Sequence, residues 1–176
     1  MFSSPTAILI ILTGSWFFAT PDATRVDKNT VSFAYMADTK NFGRDDRFSL
    51  TRDKSMFDVS VLSAPRKLLG MGGLRLGFSG MYDMQGSYLV GPGIGKTVDV
   101  GKFDMTLSVY PTYSSIRGLD RETASGHMNW KTTFDVAYHS STRMKAGLGL
   151  LHISNGGYRD PNTGIEALRV ALEYDF

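Results

Sequence analysis

Three polar side chains stand near the end of this sequence in a pattern that suits acyl transfer: His152, Ser154 and Glu166. A serine hydroxyl is a weak nucleophile until a base takes its proton, and an imidazole does this near neutral pH. A carboxylate on the other ring nitrogen fixes the tautomer and stabilises the imidazolium. Asn155 and the backbone amides of Gly156 and Gly157 can donate hydrogen bonds to a developing oxyanion. His152 and Ser154 are two residues apart, so on a strand they share a face. That face also carries Met144, Ala146, Leu148 and Leu150, while Glu166 shares parity with Leu168, Val170 and Leu172. Polar and ionisable groups therefore converge on an otherwise apolar surface. If that surface meets hydrocarbon, such groups are costly there and point to function. The competing reading is a polar hairpin end at a water interface, because Asn155-Gly-Gly157 and Asp160-Pro-Asn162 are ordinary turn signals.

Other candidate motifs carry less. Gly91-Pro-Gly-Ile-Gly-Lys96-Thr97 superficially resembles a phosphate-binding loop, but Gly91 stands one residue too close to the Gly-Lys pair and no strand-to-helix context follows. His127, His139 and His152 are far apart and lack ligand spacing, so no metal is expected. His139 falls on the inner side of its strand near a turn, which fits a structural role. The absence of cysteine excludes a disulfide scaffold, a thiolate metal site and a thiol nucleophile. Nineteen basic and 17 acidic residues are interspersed along the chain, so no nucleic-acid face is expected.

The elements that must hold these residues read as strands. In Lys102–Tyr113 the residues Phe103, Met105, Leu107, Val109, Pro111 and Tyr113 oppose Lys102, Asp104, Thr106, Ser108 and Thr112. Asn129–Tyr138 repeats the pattern, with Trp130, Phe134, Val136 and Tyr138 against Asn129, Lys131, Thr133 and Asp135. Weaker alternation marks Val31–Ala37, Phe57–Val61, Leu74–Tyr82 and Tyr88–Val98, and Arg143–Ser154 and Ile165–Phe176 complete the set. Several of these eight are longer than the five or six residues usual in globular sheets and match the roughly 9–11 that a tilted strand needs to cross a bilayer. Long links at Asp38–Lys54, Ser115–His127 and Asn155–Gly164 alternate with short ones near Val100 and Ser141, although the link at Asp83–Gln85 is short where a long one is expected. A soluble sandwich also alternates. Strand length, aromatic outer faces and Lys, Asp and Arg on the opposite faces favour an all-β, eight-stranded antiparallel transmembrane β-barrel. Met1–Pro21 carries no charge and has the apolar core Ala7–Ala19, which suits a signal peptide over residues 1–23 ahead of a barrel domain over 24–176. The closing strand, with Leu168, Val170, Leu172, Tyr174 and Phe176 alternating, is similar to the terminal strand of bacterial outer-membrane barrels.

His152-x-Ser154-Asn155 followed by Pro161-Asn162-x-Gly164-Ile165-Glu166 and a final alternating strand resembles the signature of the outer-membrane lipid A 3-O-deacylase (PagL) family. The specific likeness is concentrated in residues 143–176. It implies an eight-stranded barrel with a Ser–His–Glu triad on the outside of its wall: Ser154 as nucleophile, His152 as general base and acid, and Glu166 as the orienting carboxylate. Asn155 would then help form the oxyanion hole, and Asn162 would shape the loop around it. Gly156 stands where a small residue, commonly Ala, is expected. The expected activity is hydrolysis of the ester-linked 3-O 3-hydroxyacyl chain of lipid A in lipopolysaccharide, in the bacterial outer membrane, without a cofactor. The rivals are a non-catalytic structural or adhesive barrel and a broader lipid esterase. A homo-oligomer is left open.

Overall fold

A strand that alternates apolar and polar residues has two unlike faces, and a sheet of such strands can bury its polar face only by curling around it. The chain does this. In a computed structural model, which describes residues 27–40, 49–68, 71–84, 86–115, 127–158 and 164–176, the regular elements are all strands. They are β1 (Thr30–Lys40), β2 (Ser49–Leu62), the three-residue β3 (Arg66–Leu68), β4 (Met71–Asp83), β5 (Tyr88–Val100), β6 (Phe103–Ser115), β7 (Met128–His139), β8 (Met144–Ser154) and β9 (Ile165–Asp175). The expected leader, the centres of the three long links and Asn162 lie outside the described residues.

Every long strand pairs antiparallel with its sequence neighbour, β9 pairs with β1, and β2 pairs with β4, so the wall closes as an eight-stranded barrel. β3 is a stub on β4 within the β2–β4 turn. From Ser154 the register passes through Trp130, Pro111, Pro92, Phe78, Val61, Val31 and Tyr174. It returns to β8 at Met144, ten residues from its start. That stagger fixes strand tilt and barrel width, and eight strands leave an interior just wide enough for side chains to fill.

Phe33, Phe57, Phe78, Leu148, Val170 and Leu172 stand out from the wall, and Phe33 is 57% exposed. Nothing in the barrel covers them, as expected of a face turned to lipid. Inside, charges are buried and mutually paired. Lys131 pairs with Asp58, which also accepts a hydrogen bond from Arg169 Nη1 at 2.9 Å. Arg169 lies against Asp135 at 3.0 Å. Lys145 reaches Asp104 at 3.0 Å and Asp175 at 2.9 Å, and His139 Nε2 is 2.9 Å from Asp104, which gives His139 its structural place.

Two details differ from the pattern read in the sequence. The polar interior is capped, toward the end carrying Ser154, by an apolar cluster that includes Met36, Met56, Met81, Leu89, Leu151 and Ile153. β2 also begins at Ser49, inside the expected loop Asp38–Lys54, with Leu50 opposite Thr39. Thr51-Arg-Asp-Lys54 has no apolar alternation to read, and the β1–β2 register shifts across it, from Ala37 opposite Ser55 to Thr39 opposite Leu50. The glycine run is explained as well. Gly91, Gly93 and Gly95 line the inner face of β5, and a Cβ on Gly93 would collide with the Tyr110 ring. Lys131 Nζ lies over that ring, 5.1 Å from its centroid.

Candidate active site

The site forms where β7, β8 and β9 run side by side at the end of the barrel opposite the paired ends of β1 and β9. Alternation puts His152 and Ser154 on the outer face of β8 and sends Ile153 inward, fully buried in the apolar cluster. Glu166 faces outward on β9 beside the inward Ile165, and the register sets Ile165 opposite Ile153. The same register sets Glu166 opposite His152, with Glu166 Oε1 3.8 Å from His152 Nδ1. That separation allows electrostatic attraction but is longer than a hydrogen bond.

Although they face outward, His152 and Ser154 are each only 8% exposed. Trp130, on β7, lies opposite Ser154 and packs beside Gly156, where an added Cβ would stand 3.1 Å from its Cδ1. On the other side Gly164 presses on the imidazole. It has φ +77°, and a Cβ there would lie 2.9 Å from His152 Cε1. The carboxylate is more open, its side chain 30% exposed. His152 Nε2, the nitrogen not turned to Glu166, is buried and makes no hydrogen bond, so it is not bonded to the Ser154 hydroxyl in this arrangement.

The segment after Ser154 turns sharply. Asn155 is buried, and its Oδ1 accepts a hydrogen bond from Gly157 N–H at 2.9 Å, while Gly156 and Gly157 have φ of +69° and +84°. The Gly157 amide of the expected oxyanion set is thus committed to the turn. The fold brings His152, Ser154, Glu166, Asn155 and Gly156 to one corner. Trp130, Thr132 and Gly164 belong there too. Trp130 reads only as part of an apolar strand face, because alternation reveals which way a side chain points but not its partner across the sheet.

The sequence model of the family described as lipid A 3-O-deacylase (PagL) matches residues 66–175, more than half of the chain. No curated protein matches the chain. Among solved structures, the crystal structure of the outer membrane enzyme PagL is similar at 14% identity, covering 84% of this chain and 99% of that one, with a TM-score of 0.57. A de novo designed transmembrane β-barrel aligns at 9% identity over 88% of this chain and 99% of its own, also with a TM-score of 0.57. The N-terminal barrel domain of Pseudomonas aeruginosa OprF aligns at 9% identity over 85% of this chain and 98% of its own, with a TM-score of 0.53. At these identities the structural likeness is one of fold.

Proposed function

The chain belongs to the lipid A 3-O-deacylase (PagL) family, and from that premise we propose that it removes the ester-linked 3-O 3-hydroxyacyl chain of lipid A by a Ser–His–Glu mechanism. It is a β-barrel of the bacterial outer membrane. The observation that carries the proposal is the outward convergence of His152, Ser154 and Glu166 on two paired strands, with the imidazole and carboxylate in register and 3.8 Å apart.

In this mechanism the substrate stays in the bilayer and its ester carbonyl meets the wall at Ser154. His152 Nε2 takes the serine proton as Oγ attacks the carbonyl carbon, and Glu166 holds the imidazole through Nδ1. Asn155 and the Gly156 amide stabilise the oxyanion. Collapse breaks the ester bond, and the sugar oxygen leaves with the proton from His152. Water then adds to the acyl-enzyme with the same histidine as base, releasing the 3-hydroxy fatty acid and restoring Ser154. The histidine–carboxylate and serine–histidine contacts shorten as substrate binds, as catalytic hydrogen bonds commonly do. An even number of wall strands leaves both wall ends on one side; with that side periplasmic, as in this mechanism, the strand count supports a site at the level of the outer leaflet, where lipopolysaccharide resides.

The test is mass spectrometry of lipid A from cells expressing the wild-type chain or Ser154→Ala. The expected result is loss of one 3-hydroxyacyl mass with the wild type and an unmodified spectrum with the variant. An unmodified spectrum with folded wild-type protein sinks the proposal.

A further inference from the structure

We propose that Thr132 recognises the hydroxyl on the β-carbon of the departing acyl chain, and so helps to set substrate specificity; the inference rests on the ester hydrolysis proposed above. Thr132 lies on the outer face of β7, directly opposite His152. The nearest outer positions on its strand are Trp130, Phe134 and Val136, so its hydroxyl interrupts an apolar and aromatic stripe. Among the described residues its side chain makes no hydrogen bond. Against hydrocarbon, where water is scarce, a hydroxyl without a partner is disfavoured. A polar group supplied by the lipid itself relieves this.

The register says which part of the lipid that is. Side chains directly opposite in an antiparallel pair have Cβ atoms about 4.5–5.5 Å apart, and diagonal neighbours lie roughly 7–8 Å apart. Thr132 is therefore beside His152 and diagonal to Ser154. From Ser154, β8 runs through His152 and Leu150 into the wall. Thr132 thus lies one step deeper than the nucleophile, on the acyl side of the ester and not the sugar side. A chain bound by its carbonyl at Ser154 and extending into the bilayer passes its β-carbon over Thr132, between Trp130 and Phe134. A threonine hydroxyl both donates and accepts, so it can pair with a substrate hydroxyl in either direction. An unsubstituted chain leaves it unpaired, and a site with an unmet polar group discriminates against such an analogue.

The experiment uses the full-length barrel in mixed micelles and two glucosamine phosphates acylated at the 3-oxygen, equal in chain length, with and without the β-hydroxyl. One neutral hydrogen bond predicts that wild-type kcat/KM favours the hydroxylated ester about three- to tenfold. Thr132→Val, which keeps the branched shape, is expected to abolish the preference by slowing only the hydroxylated ester. Thr132→Ser is expected to retain it. A preference that survives in Thr132→Val overturns the inference, as does an equal loss on both esters, which is the mark of a merely structural role. Either result leaves the esterase reading standing if the wild type cleaves the esters. No cleavage of either ester by folded wild-type protein overturns both.

Discussion

His152 is held from both flanks, and the two flanks make different predictions. On one side Glu166 lies at 3.8 Å, and on the other Gly164 closes on the ring. Gly164→Ala puts a Cβ 2.9 Å from His152 Cε1 at a residue whose φ of +77° disfavours any L side chain. The expected outcome is a fall in kcat of tenfold or more, with lipid A binding little changed, because the ring and not the bilayer contact is displaced; steady-state kinetics in micelles check it. His152→Ala should cost about 10²–10⁴ in kcat, the range for a lost general acid–base. Loss of KM alone, with kcat preserved, would contradict the assigned role. The types and spacing of His152, Ser154 and Glu166 were legible in the chain because alternation fixes the face of each residue. The pressure of Gly164 on the ring was not, since it depends on how one particular turn closes.

At the scale of elements, the β8–β9 hairpin is anchored through the residues that alternate with the proposed catalytic ones. Ile153 and Ile165 face each other inside the apolar cluster, and Ile153 is fully buried. Ile153→Ala leaves a cavity there and should destabilise the barrel by about 2–5 kcal/mol, measured as a lower urea midpoint for loss of the heat-modifiable form. It should also lower kcat, because the outward side chains on either side lose their inner anchor. Gly93→Ala tests another element contact. The added methyl meets the Tyr110 ring and the Val109 carbonyl on the neighbouring strand β6, and the expected result is poor barrel assembly, read from the same gel-mobility shift. Sequence alternation located β5, β6, β7, β8 and β9 to within a few residues, since apolar residues dominate one face of each. It missed the first part of β2 because Thr51–Lys54 shows no apolar alternation and only Ser49 and Leu50 beyond it rejoin β1, after a shift of register.

At the scale of the molecule, the barrel is a filled cylinder. Asp58 is shared by Lys131 and Arg169, and all three are buried. Removing it as Asp58→Ala leaves two cations without their shared counter-ion, which should cost about 3–5 kcal/mol. Chemical denaturation in detergent gives the measurement; a loss below about 1 kcal/mol would mean that water or other groups compensate. The packed interior carries a second expectation. Reconstituted into planar bilayers, the protein should give no stable conductance steps, because the charged network and the methionine-rich cap leave no continuous aqueous path.

Taken alone, the sequence determined the period-two pattern, the tally of eight alternating strands and the parity by which His152, Ser154 and Glu166 share the apolar face. Those properties follow from local alternation and strand length, which any reader of the chain can count. Register, closure and depth belonged to the tertiary structure. Only pairing across the sheet puts Glu166 opposite His152, Thr132 beside the imidazole and Trp130 over Gly156. A shift of one pair of residues in any of those ladders preserves every outward face and destroys every one of those contacts. Strand faces are set by the chain itself, whereas partners are set by turns and by the stagger of the whole wall.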